Sequence, residues 1–107
     1  NPSMPPQFVG KDAHIVRAMI SEGTMIFGTV ENSVIFPGVR VAKGAVVRNS
    51  VLLPSARVAE GAVVDYAILA QNVTVEAGAQ VIGEQSQIAV IPEGETVTAA
   101  AGEQQVG

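Results

Sequence analysis

Residues 41–57, VAKGAVVRNSVLLPSAR, and residues 58–74, VAEGAVVDYAILAQNVT, carry the signal that decides the fold. Set under one another, they share seven of 17 positions, and most of the rest keep their size and polarity. A third copy begins at 75–81, VEAGAQV, and upstream VENSVIFPGVR, residues 30–40, matches the chain from Val47 on. A period this short governs every other reading. Large aliphatics fall at Val41, Val47, Leu52, Val58, Val64, Leu69, Val75 and Val81, in steps of six, five and six. Two positions before each stands a smaller residue or a valine: Val39, Ala45, Ser50, Ala56, Ala62, Ala67, Val73 and Ala79. Residues two apart share one face of a strand.

Each step is therefore a short strand with two side chains inward, one outward, and then a corner. Three strands complete one coil. Gly44, Gly61 and Gly78 repeat at one corner, where a residue without Cβ can take a left-handed conformation. A helix is excluded, because the spacing does not follow 3.6 and Gly, Pro and β-branched residues are dense. The expected architecture is an all-β parallel β-helix of hexapeptide repeats. The pattern extends back through Val9, Ile15, Ile20, Ile26, Val30 and Ile35, giving about five coils. The step from Ile26 to Val30 is two residues short, which predicts a tight corner at Phe27–Gly28.

The 107 residues make one domain, 48% apolar with four aromatics and no Trp, so the core is a ladder of Val, Ile, Leu and Ala. Residues 1–5 are expected to be a linker or remnant, 6–98 the β-helix, and 99–107 a flexible tail. With no Cys there is no disulfide framework and no thiolate metal site. A net charge of −4 argues against nucleic acid as a partner. No apolar run approaches a membrane span and no signal peptide opens the chain, so the location expected is cytoplasmic.

Phrases within 21–41, "SEGT" and "GTVENSVIFPGVRV", resemble the C-terminal domain of glucose-1-phosphate adenylyltransferase, and the general resemblance runs from about Pro5 to Val97. The ending IGEQSQIAVIPEGETV is similar to the regulatory-type subunit of that family. The resemblance implies a left-handed β-helix, an exception to the usual crossover hand. It also implies a parent enzyme that makes ADP-glucose and pyrophosphate from ATP and glucose 1-phosphate for glycogen synthesis. Its catalytic domain would bind Mg2+ with ATP. This chain has no Gly-rich phosphate loop, so the fragment itself is expected to hold no cofactor and to have no catalytic residue. What remains is subunit assembly and a share of the allosteric response. The implied partners are the catalytic domain of the same chain, other subunits, and a phosphorylated metabolite.

The alternative is an acyl-CoA-dependent hexapeptide acyltransferase, in which a His acts as general base. His14 is the one candidate, and sequence shows it no partner. A third possibility is a β-helix that only assembles.

Outward positions 17 apart should stack in columns. Glu31, Arg48 and Asp65 alternate in charge, and Lys43 lies over Glu60, as expected for corner pairs that set register. Arg40 and Arg57 stack over Thr74 with no acid in the column. Like charges opposite one another are unfavourable, and Arg holds phosphate in two-point contact, so this pair is the candidate anion site. Val34, Val51 and Ile68 point outward, with Phe36 and Leu53 at the next corner, forming a candidate apolar interface.

Overall fold

The computed structural model describes residues 6–99. Fourteen strands, numbered along the chain, wrap into a three-sided prism. One side stacks β1 (Phe8–Val9), β3 (Met25–Ile26), β5 (Arg40–Val41), β8 (Arg57–Val58), β11 (Thr74–Val75) and β14 (Thr96–Val97). Six rungs deep, it corresponds to about five coils. The second side takes β6 (Val46–Arg48), β9 (Val63–Asp65) and β12 (Gln80–Ile82); the third takes β7 (Val51–Leu52), β10 (Ala67–Leu69) and β13 (Ala89–Ile91). The two seven-residue strands β2 (His14–Ile20) and β4 (Thr29–Ile35) run through a corner and serve both of these sides. All the strand pairings are parallel, consistent with the left-handed hexapeptide type.

The core is the expected ladder. Val41, Val47, Leu52, Val58, Val64, Leu69, Val75 and Val81 are all buried, and so are the smaller partners Val39, Ala45, Ser50, Ala56, Ala62, Ala67, Val73 and Ala79. Burial fades at the prism end. Val9 registers on Ile26 but is 43% exposed, because among the described residues no coil covers it from above. Ile15 and Ile20 are only half-buried for the same reason.

The short corner at Phe27–Gly28 is present, and its cause is contact rather than dihedral freedom. A Cβ on Gly28 would lie 2.4 Å from the Ala45 carbonyl oxygen and 2.6 Å from that of Ala42. The next coil's turn passes directly over this backbone. The two missing residues change the offset between neighbouring rungs, so that Met25 pairs with Arg40 and His14 with Thr29, 15 apart rather than 17.

The last coil departs in the other direction, which the repeat did not anticipate. An offset of 17 from Ala67 and Leu69 would place Glu84 and Ser86 inside. Burying those groups without partners would cost several kcal/mol, on the order of 2–7 for a neutral one. The chain instead loops out at Gly83–Ile88, closed by a Glu84–Gln87 bridge, and brings in Ala89 and Ile91 at an offset of 22. Gly83 sits where a Cβ would come within 2.2 Å of the Tyr66 carbonyl oxygen.

The corner leading to the third side carries Arg17, Asn32, Asn49 and Tyr66, all at φ near 50°. Asn tolerates this left-handed region through local hydrogen bonding; Arg and Tyr are strained there by about 1–2 kcal/mol. Inside this corner lies a serine ladder. Ser33 Oγ donates to the Glu31 carbonyl at 2.7 Å and accepts from Ser50 N–H at 3.1 Å. Ser50 Oγ repeats this with the Arg48 carbonyl at 2.8 Å and Ala67 N–H at 3.1 Å. Two polar side chains can therefore sit in an apolar core with every bond satisfied.

Candidate functional site

The first surface is the arginine pair. β5 and β8 place Arg40 directly beside Arg57, and β8 and β11 place Arg57 beside Thr74. Both guanidinium groups are on exposed residues. Neither has a carboxylate partner, since Arg48–Asp65 is the one ion pair among the described residues. Arg40 Nη2 instead lies 3.6 Å from Met25 Sδ. With Phe27, Ala42, Ala59 and Thr74 the two Arg side chains line a depression of about 330 Å³. Phe27 is held in place by Phe8, ring centroids 5.6 Å apart. The arrangement offers forked donors, a hydroxyl and an apolar wall, which suits a phosphorylated molecule with an apolar or ring-shaped body.

The second surface is the apolar column, and it is longer than sequence spacing showed. Val34, Val51 and Ile68 do point outward in register, but they shield one another and are half-buried. Met19 continues the column at the top and Val90 at the bottom, 71% and 61% exposed. Both were missed because they lie at offsets of 15 and 22. The polar residues at 84 and 86 were the signal for the second shift. Phe36 and Leu53 are half-buried at the next corner. On the other flank a groove of about 480 Å³ runs between the column and Asn32, Asn49 and Tyr66, closed by Gln85 and Ile88 of the loop.

The charged columns correct the expected pairing. Arg48 Nε turns to Asp65 Oδ2 at 3.2 Å, not to Glu31. Asp65 also accepts from Asn49 Nδ2 at 3.1 Å, and Asn49 Oδ1 accepts from Asn32 Nδ2 at 2.7 Å. That relay of amides fixes the carboxylate below Arg48. Lys43 and Glu60 form no ion pair, because both are exposed beside the Gly44 and Gly61 turns, where water competes for them.

His14 is exposed at the start of β2, and its side chain makes no hydrogen bond or ion pair among the described residues. No carboxylate orients it as a general base would need. No three His, Cys, Asp or Glu come together among the described residues. No helix among them is long and apolar enough to cross a membrane.

Comparison with known proteins agrees with this geometry. The family model described as GlmU-like, C-terminal hexapeptide matches residues 4–97. Glucose-1-phosphate adenylyltransferase of Geobacillus stearothermophilus is 49% identical over 47 residues, and that of Clostridium perfringens 55% over 47. The match takes in 44% of this chain but only 12% of either relative. The acetyltransferase domain of PglB from Neisseria gonorrhoeae, solved with acetyl coenzyme A, superposes with a TM-score of 0.54 at 22% identity, covering 88% of this chain and 52% of that one. At that identity the likeness is one of fold alone. The prism, its corners and the matched family model agree, and the chain belongs to the GlmU-like, C-terminal hexapeptide family.

Proposed function

We propose that this chain serves as the C-terminal β-helix of a glucose-1-phosphate adenylyltransferase, the enzyme that joins ATP and glucose 1-phosphate into ADP-glucose and pyrophosphate for glycogen. The observation that carries the reading is the 49–55% identity to two such enzymes across 47 residues. Nucleotidyl transfer, and the Mg2+ that accompanies ATP, belong in this reading to a catalytic domain beyond these residues, in a cytoplasmic protein. The β-helix contributes two surfaces. The apolar column contacts the rest of the assembly, which consists of catalytic domain and other subunits. The Arg40/Arg57 depression takes a phosphorylated effector, and it shapes the response only if the effector contacts it differently in two states of the enzyme.

An acyltransferase role has no support from His14, which stands alone. The test is made on the enzyme that contains this chain, followed by ADP-glucose formation with and without phosphorylated metabolites. Arg40→Ala with Arg57→Ala is expected to leave subunit assembly and unstimulated turnover intact and to remove the effector response. An unchanged response rules out the Arg pair. Absence of ADP-glucose formation in the wild-type enzyme rules out the family role.

A further inference from the structure

The column Met19–Val34–Val51–Ile68–Val90 is centred on Val51, with two rungs on either side. Its flanks differ. Toward one corner lie Asn32, Asn49 and Tyr66; toward the other lie Phe36 and Leu53. We infer that this face docks a second copy of the same chain about a two-fold axis that runs along the strands at Val51, so that the two prisms pack antiparallel. This rests on the reading of the face as a contact surface and names its occupant.

The flanks choose the axis. Two identical faces can meet with the prism axes parallel or antiparallel. The parallel pairing sets the Phe36/Leu53 corner of one copy on the Asn32/Asn49 corner of the other, apolar against amide. The antiparallel pairing keeps each corner with its own kind. Leu53 and Phe36 then face the partner copy's apolar corner, and along the amide corner exposed Asn32 comes opposite the partner copy's Tyr66, with which it can form a hydrogen bond. Val34 meets the partner copy's Ile68, and Met19 its Val90.

The ends agree as well. Arg17 lies at the first rung of the asparagine corner, exposed and without a carboxylate. The Gly83–Ile88 loop stands out at the last rung of the same corner and carries Glu84, also exposed and unpaired. Antiparallel packing brings the loop of each copy over Arg17 of the other. Opposite charges placed this way select the register more than they add affinity. Glu22 and Glu93 also approach each other, but one residue further round the opposite corner, where both are exposed and water screens them.

Size sets the expected strength. Five rungs at about 4.8 Å and six residues a side at about 3.3 Å make a face of roughly 20 by 20 Å. That is below the ~800 Å² per partner of a standard interface. The pair should therefore form and dissolve with concentration.

The test exploits the absence of cysteine in the chain. Under mild oxidation Val51→Cys, on the axis, is expected to give a disulfide-linked dimer. Met19→Cys alone should not, whereas a mixture of Met19→Cys and Val90→Cys should link across. Sedimentation should show a concentration-dependent dimer, lost in Val51→Lys with Ile68→Lys. Either Arg17→Glu or Glu84→Arg should weaken it, and the two together restore it. Circular dichroism of each variant checks the β-helix. Efficient self-linking of Met19→Cys would show parallel packing and overturn the inference. A wild-type chain that stays monomeric at high concentration would also overturn it, while ADP-glucose formation by the parent enzyme would leave the family role standing.

Discussion

Gly28 and Gly61 are both corner glycines, yet replacing them with alanine should have very different effects. Gly61 is at φ +72° with nothing within 4 Å of its would-be Cβ. Gly61→Ala therefore meets only the left-handed backbone penalty, about 1–2 kcal/mol. Gly28 has no positive φ but no room. Its Cβ would stand 2.4 and 2.6 Å from two carbonyl oxygens, where ordinary contact begins at 3.4 Å. The coils would have to separate by about 1 Å locally. The hydrogen bonds there are Thr29 N–H to the Ala45 carbonyl at 2.9 Å and Phe27 N–H to the Val41 carbonyl at 2.8 Å. Overpacking costs about 1–3 kcal/mol and each of the two weakened backbone bonds about 1 more, so Gly28→Ala should lose roughly 3–5 kcal/mol. For a domain of this size that is a fall in Tm on the order of 20 °C, against 5–10 °C for Gly61→Ala. Thermal unfolding followed by circular dichroism, with urea titration for the free energies, measures both. If Gly28→Ala proves no more damaging than Gly61→Ala, the corner is not held by close approach of the coils, and the explanation given for its short step is wrong. The same corner sets Arg40 beside Met25, so a variant that relaxes it should also disturb the arginine depression.

Three further outcomes are expected. Val64→Asp places a charge at a fully buried position and should cost several kcal/mol, enough to unfold the chain at moderate temperature, as circular dichroism would show. Ser50→Ala removes the acceptor for the Ala67 N–H inside the core and should lose about 1–3 kcal/mol in urea unfolding, whereas Arg48→Ala, which breaks a half-exposed ion pair, should lose under about 1. The isolated chain should form no ADP-glucose and acetylate no acceptor; acetyl transfer that disappears in His14→Ala would reverse the assignment of His14 as a bystander.

Much of this protein was legible because a β-helix makes tertiary structure local. Each coil lies on the next, so a repeat in sequence is a stack in space. The steps of six, five and six named the buried side chains, and the short step from Ile26 to Val30 located the corner at Phe27–Gly28, since both are properties of one continuous stretch. The Arg40–Arg57–Thr74 register followed from the same period. Tertiary structure alone decided matters that depend on which competing contact wins. Arg48 chose Asp65 over Glu31 because Asn49 already holds that carboxylate in place. Ser50 became a buried acceptor because a left-handed corner left the Ala67 N–H to be satisfied. The apolar face reached Met19 and Val90 only once the Phe27–Gly28 deletion and the Gly83–Ile88 loop had reset the stacking to 15 and 22. A period predicts what recurs. Where it breaks, only the packing of one coil on the next fixes which residues come to lie side by side.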